Sequence, residues 1–191
     1  FSGKQIEKSI TLMSNAVGVQ GYAFVAIEPI VKKNPETKKA DITFEIKEGP
    51  RVYIEKIVFS GNDRTRDHVL SREMELHEGD AFNSQKLKNS ERRLKDLGYF
   101  KTVTVDTEPG TGSDQARIVV KVEEQSTGEI GLAGGYSTLD GPLASIRLIE
   151  RNFMGTGRVL HSDLSIAKKR QDFDIGVVEP YFLGRNMTGN A

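Results

Sequence analysis

The sequence predicts an α+β fold of β-α-α-β-β modules that runs into the first antiparallel strands of an incomplete transmembrane β-barrel. Three observations predict it. Residues 52–124 read in order as strand, helix, helix, strand, strand; the closing part of the same pattern occurs once before them; and beyond residue 128 helical periodicity gives way to alternation.

Taken in order, Ile6, Ile10, Met13 and Val17 recur at spacings of four, three and four, one stripe of an amphipathic helix from Ser2 to Val17 that Gly18 or Gly21 ends. A strand with Phe24, Val25 and Ile27 runs up to Pro29, a polar turn follows at Asn34-Pro35-Glu36, and Ile42, Phe44 and Ile46 then alternate with Asp41, Thr43, Glu45 and Lys47.

The complete module opens with the strand Val52 to Phe59, rich in β-branched and aromatic residues, and turns at Ser60-Gly61-Asn62-Asp63. Thr65 is a candidate N-cap for a helix carrying Val69, Leu70 and Met74 as far as the loop His77-Glu78-Gly79-Asp80. Asn83 or Ser84 caps a second helix, in which Leu87, Leu94 and Leu97 recur at seven and three, and Gly98 occupies the left-handed position after its end. Val103 and Val105 alternate with Thr102 and Thr104. After the turn Pro109-Gly110-Thr111-Gly112-Ser113-Asp114, Ile118, Val120 and Val122 alternate with Arg117, Val119 and Lys121. Two helices cover one face of a three-stranded sheet, so the other face and at least one strand edge are left to solvent, ready to accept another strand.

The first copy matches the second residue by residue. Gly21-Tyr22-Ala23-Phe24 parallels Gly98-Tyr99-Phe100, and Ala40 to Glu48 parallels Ala116 to Glu124, with Tyr22 and Tyr99 separated by 77 positions (99 − 22). The expected division is therefore 1–50 for the end of one module, 51–124 for the next, 125–128 for a linker and 129–191 for four strands.

In that last segment Ile130, Leu132, Gly134 and Tyr136 share one strand face, and Glu129, Gly131, Ala133 and Gly135 the other; Thr138 to Pro142 turns the chain. Ala144, Ile146 and Leu148 oppose Ser145 and Arg147. Leu160, Ser162, Leu164 and Ile166 oppose His161, Asp163, Ser165 and Ala167, and Phe173, Ile175 and Val177 oppose Asp172, Asp174 and Gly176. One apolar face and one small or charged face fit an outer-membrane barrel, and they also fit a soluble sandwich; ionisable residues on one face of every strand favour the barrel. Four such strands do not close, since the smallest barrels take about eight.

Composition narrows the function classes. The 191 residues carry zero formal net charge, which argues against a nucleic-acid binder, and there is no cysteine for disulfides, thiolate nucleophiles or metal sites. No apolar run approaches the ~20 residues of a spanning helix. The chain starts at Phe1 directly before a helical pattern and reads as an internal fragment. His68, His77 and His161 fall in different elements without close ligand partners, so no metal site is expected, and no spacing assembles a catalytic group or cofactor site. Gly155-Thr156-Gly157 lacks the lysine and following helix of a phosphate loop and reads as a tight turn, and Lys168-Lys169-Arg170 as a basic hairpin tip near lipopolysaccharide phosphates or simply solvated.

With repeat, linker and hairpins in view, the sequence resembles the BamA family of bacterial outer-membrane assembly factors, a POTRA-plus-barrel superfamily whose β-α-α-β-β repeats are POTRA domains. The resemblance rests on Glu150-Arg151-Asn152-Phe153-Met154-Gly155-Thr156-Gly157-Arg158, similar to the family's Asn-x-x-Gly-Thr-Gly turn, and on Glu179-Pro180-Tyr181-Phe182, Ser60-Gly61-Asn62-Asp63 and Leu97-Gly98-Tyr99-Phe100. It implies a non-enzymatic protein of the bacterial outer membrane with periplasmic POTRA domains, and as partners unfolded outer-membrane proteins, outer-membrane lipid and the lipoprotein BamD.

Several site residues follow from the resemblance. BamD docking falls on Glu78 and Gly79, where a solvated loop carboxylate is the plainer alternative. Client strand pairing falls on Lys101, Thr102, Val103, Thr104, Val105 and Asp106, on the matching edge Phe24 to Ile30, and on the first barrel strand, Glu129, Ile130, Gly131, Leu132, Ala133, Gly134, Gly135 and Tyr136. There the glycines either ease distortion or fit barrel curvature. A secretion pore of the same superfamily and a soluble periplasmic scaffold are the competing functions.

Overall fold

The computed structural model describes residues 3–34, 39–47, 49–138, 141–181 and 189–190. In chain order the elements are α1 (Gly3–Gly18), β1 (Ala26–Asn34), β2 (Lys39–Lys47), β3 (Tyr53–Ser60), α2 (Asp67–Ser71), α3 (Ser84–Asp96), β4 (Phe100–Pro109), β5 (Gln115–Glu124), β6 (Gly128–Ser137), β7 (Gly141–Phe153), β8 (Arg158–Ala167), β9 (Gln171–Glu179) and β10 (Gly189–Asn190). They form an antiparallel β1–β2 hairpin, a three-stranded sheet ordered β3-β5-β4, and an open sheet ordered β10-β9-β8-β7-β6. The α+β modules and the antiparallel strands are thus as the periodicities require. No closed barrel is present among the described residues.

The chain packs as two compact units, one of residues 1–60, 73–93 and 103–121, the other of 61–72, 94–102 and 122–191. In the first, β3 pairs parallel with β5. Val52, Phe82 and Ala116 are buried together, with Ala23 and Leu87 packed against them. Ile54, Leu76, Val103, Ile118 and Val120 are also buried, whereas Arg117 and Lys121, on the alternate positions of β5, are exposed. The α1 stripe of Ile6, Ile10, Met13 and Val17 is half-buried. The Asn83 side-chain oxygen accepts from the N–H groups of Gln85 and Lys86, so Asn83 is the cap of α3, while the Ser84 hydroxyl donates to the Asn15 carbonyl.

Two expectations change here. Strand β1 starts at Ala26 and runs through Pro29, which pairs with Phe44. Proline is tolerated because, among the described residues, β1 has a strand on one side only. The turn expected at Asn34-Pro35-Glu36 lies partly outside the described residues. The first helix of the complete module is also shorter than its apolar pattern suggests, five residues instead of a run to His77. Its N-cap is Arg66, without a side-chain cap bond. Past it, the Glu75 N–H donates to the Ser90 hydroxyl on α3, so this stretch finds a tertiary partner in place of its own i−4 carbonyl.

In the second unit Val69, Leu70, Leu94, Tyr99, Phe100 and Val122 form the buried apolar set. Gly98 turns with φ +70°, as the sequence requires, and Gly61 has φ +84° where any Cβ would overlap the Val122 carbonyl oxygen. Strands β6 to β9 form an antiparallel meander, and β10 adds a two-residue fifth strand beyond the four expected. Phe182 of the Glu179-Pro180-Tyr181-Phe182 motif lies outside the described residues.

Candidate functional site

The first candidate surface is the β6–β9 sheet. Its register stacks Leu132, Ile146, Leu164 and Phe173 in one cross-strand row, Ile130, Leu148, Ser162 and Ile175 in the next, and Leu160 with Val177 after that. Ile130, Leu132, Phe173 and Ile175 are 71, 77, 67 and 60 % exposed, so this apolar face is uncovered. The opposite face carries ion pairs: Arg147 with Asp163 at 2.5 Å, Arg151 with Glu129 at 2.6 Å, and His161 near Asp174 at 3.2 Å. A soluble sandwich buries its apolar face under a second sheet, and among the described residues none covers this one.

Among the described residues strand β6 ends this sheet, with β7 as its one strand neighbour. Every β6 residue from Glu129 to Tyr136 is exposed. At Gly131, Gly134 and Gly135 a Cβ would meet nothing closer than 3.7 Å, and none has a positive φ, so neither space nor backbone conformation demands glycine there.

In the three-stranded sheet, β3 and β4 are the outer strands. The free side of β3 is occupied by the loop before α3: Ile54 N–H donates to the Asp80 carbonyl, Gly79 N–H to the Ile54 carbonyl and Phe82 N–H to the Val52 carbonyl. That leaves β4 with an edge that no other strand among the described residues fills, on the stretch Lys101 to Asp106. Val103 is buried, Val105 lines a cleft with Tyr22, Leu87 and Glu91, and Thr102, Thr104 and Asp106 are exposed. Lys101 pairs with Glu123 at 3.0 Å and Asp106 with Lys121 at 3.5 Å across β4 and β5. Hydrogen bonds from Lys101 and from the Thr102 hydroxyl, with the charge of Lys101, hold the Glu123 carboxyl below the usual carboxylate range. The matching edge Phe24 to Ile30 is weaker than the sequence suggested. Phe24 and Val25 precede β1, and Pro29 removes a donor from its middle.

Glu78 and Gly79 sit on the exposed loop between α2 and α3. The Glu78 carboxylate accepts from the Ile57 N–H at 3.2 Å, and Gly79, at φ +89°, has open space where a side chain would be. The loop is therefore held to β3 by its backbone and by Glu78 itself, with the carboxylate at the surface.

Sequence reasoning missed the junction that the turn Asn152 to Gly157 makes with residues 61–72. The Asn152 amide donates to the buried Thr65 hydroxyl at 2.8 Å, and its oxygen accepts from the Gly157 N–H at 2.9 Å. Arg66 N–H donates to the Gly155 carbonyl, and the Tyr99 hydroxyl reaches the Gly157 carbonyl at 3.4 Å. Glu124 receives the N–H groups of Arg64 and Thr65 at 3.0 and 2.7 Å. Thr65 is thus a junction residue and no helix cap. Burial alone pushes the Glu124 carboxyl up, and the hydrogen bonds from Thr65 and Arg64 with the Arg64 charge outweigh it, leaving the group below the usual range. The signal lay in Asn152 and the two glycines: a buried asparagine needs partners, and a Cβ at Gly155 would overlap the Arg64 carbonyl oxygen.

The family model for POTRA, described as surface antigen variable number repeat, matches residues 1–49 and 52–125. The outer membrane protein assembly factor BamA of Nitratidesulfovibrio vulgaris is 34 % identical over 169 residues, covering 88 % of this chain and 21 % of its own length. BamA of Neisseria meningitidis serogroup B is 30 % identical over 200 residues, covering all of this chain and 25 % of its own. The chain therefore spans a quarter or less of the length of these curated relatives. Among solved structures, BamA from Haemophilus ducreyi lacking POTRA domains 1–3 superposes with a TM-score of 0.81 at 28 % identity, covering 98 % of this chain and 36 % of that one.

Proposed function

This chain belongs to the BamA family of POTRA-bearing outer-membrane protein assembly factors, and from that membership we propose a non-enzymatic role: it receives unfolded outer-membrane proteins in the periplasm and promotes their folding into the membrane by pairing strand edges. In this reading residues 1–50 are the end of one periplasmic POTRA domain and 51–124 the next and last, 125–128 links them to the wall, and the β6–β9 strands belong to a transmembrane barrel.

One observation carries the reading. Among the described residues strand β6 has an unfilled edge, and it borders a sheet whose apolar face is uncovered and whose other face holds ion pairs. Such a sheet suits lipid on one side and water on the other. An incoming strand that pairs with β6 satisfies its own amides and carbonyls as it enters a phase that offers them no water. The β4 edge in the preceding module offers the same chemistry earlier, in solvent. Glu78, on an acidic exposed loop, is the proposed contact for an arginine of BamD, where a partly desolvated ion pair fixes orientation more than it adds affinity.

Photo-crosslinkers placed at β6 positions Ile130, Leu132 and Gly134 of the full-length protein test the mechanism during assembly of a barrel client. Capture of the client's terminal strand from β6, with none from matched positions on the interior strand β8, is expected. Equal or absent capture from both strands rejects edge pairing as the mode of insertion.

A further inference from the structure

Beside the junction, on the apolar side of the sheet, the second unit holds a cleft of about 440 Å³ lined by Arg66, His68, Arg72, Met154, Thr156, Arg158, Glu179 and Tyr181. Three arginines line it, Arg66, Arg72 and Arg158, against one carboxylate, Glu179. Its position follows from the register. Arg158 is two residues from Leu160 and Glu179 two from Val177, so both lie on the face that carries the exposed leucines and isoleucines, about 7 Å further along the strands. The apolar rows thus end in an Arg158–Glu179 pair at 2.6 Å, at the end of the sheet where residues 61–72 pack on the turn.

The cationic wall is built. The Arg72 guanidinium lies 4.1 Å from the Tyr181 ring centroid. Gly157 makes room for it, since a Cβ there would overlap Arg72 Nη2. Glu179 is itself fixed, accepting from Arg158 and from the Tyr181 N–H at 3.1 Å. Met154, 73 % exposed, holds φ +55° in the turn and sets an apolar side chain at the cleft mouth.

We propose that this cleft binds the phosphate headgroup of an anionic phospholipid in the periplasm-facing leaflet, with its acyl chain lying along Leu160, Val177 and Ile175. Arginine forks match phosphate oxygens in pairs, an aromatic ring beside them suits the interfacial zone, and the adjoining apolar face receives the tail. A free phosphate would use the same guanidinium groups but has no use for the apolar rows. The site rests on the reading that the apolar face meets lipid. It would anchor the last module at the membrane surface away from the client's edge strand, because it sits between β8 and β9, two strands in from β6.

The test begins with flotation of the full-length protein on phosphatidylcholine vesicles; failure to float sinks the membrane reading itself, and the headgroup site with it. Given flotation, native mass spectrometry of the detergent-extracted protein compares retained phosphatidylglycerol and phosphatidylcholine. Preferential retention of phosphatidylglycerol is expected. Arg66→Gln with Arg158→Gln should lower it about fivefold per charge removed. Glu179→Gln, which takes the carboxylate out of the cleft, should raise it, a gain that a misfolded variant does not give. Lys168→Gln, Lys169→Gln and Arg170→Gln together, at the other end of the strands, should leave it unchanged. Equal retention of the two lipids, equal loss in the hairpin-tip variant, or full displacement by inorganic phosphate overturns the proposal.

Discussion

Gly155 leaves no room for a side chain, because the Arg64 carbonyl oxygen occupies the space and the backbone is left-handed at φ +69°. Gly155→Ala is expected to push the turn off residues 64–66 at a cost of about 1–3 kcal/mol. Hydrogen exchange at the Arg66 amide, which donates to Gly155, should speed up accordingly. Glu124 makes the same junction sensitive to acid. Its carboxyl is held below the ordinary value near 4.5, so its contribution is complete above that value and is lost as pH falls through the lower folded one. Unfolding followed from pH 7 to pH 3 should show a decline that Glu124→Gln flattens. Glu78→Lys should weaken co-purification with BamD while leaving circular dichroism intact, since the Ile57 N–H that Glu78 accepts lies at the exposed side of β3. Unchanged co-purification would remove Glu78 from that interface.

Among elements, β4 and β6 are the proposed pairing strands, each with an unfilled side among the described residues, and they differ in what surrounds them. Strand β4 is half core, with Val103 only 5 % exposed, so proline there would open a cavity as well as remove a donor. Val105→Pro, at a half-buried position, is the cleaner probe. It should reduce client capture by crosslinkers on the exposed Thr102 and Thr104 without unfolding the module, and absence of capture from these positions in the wild type would make β4 structural only. The strand itself was legible in the sequence from its alternation, and α3 from its leucine spacing and Asn83 cap. The length of α2 was not legible. Val69, Leu70 and Met74 keep a helical spacing, yet Ser90 on α3 takes the Glu75 amide, and a partner 15 positions away leaves no trace in a local pattern.

For the whole molecule the decisive property is the two-sidedness of the β6–β9 sheet. A charge placed on its apolar face tests which phase that face meets. Leu132→Arg should cost about 2–4 kcal/mol at mid-depth in a bilayer and sharply lower the fraction of full-length protein that floats with membranes. Because Leu132 is 77 % exposed, the same change on a water-facing surface would move stability by only about 0.5 kcal/mol. Unaltered flotation and stability would return the sheet to solvent.

Periodicity alone determined the module order, the repeat at 77 positions and the opposite characters of the two sheet faces, because a strand's side chains alternate whatever lies beyond them. The tertiary structure decided which edges stay open, since the loop from Gly79 to Phe82 fills one side of β3. It also decided that Thr65, Asn152 and Glu124, up to 87 positions apart, share one hydrogen-bond network, and that three arginines line the cleft where the apolar rows end. Hydrogen bonds and charge clusters between distant segments depend on where the chain returns, and no spacing in the sequence records that.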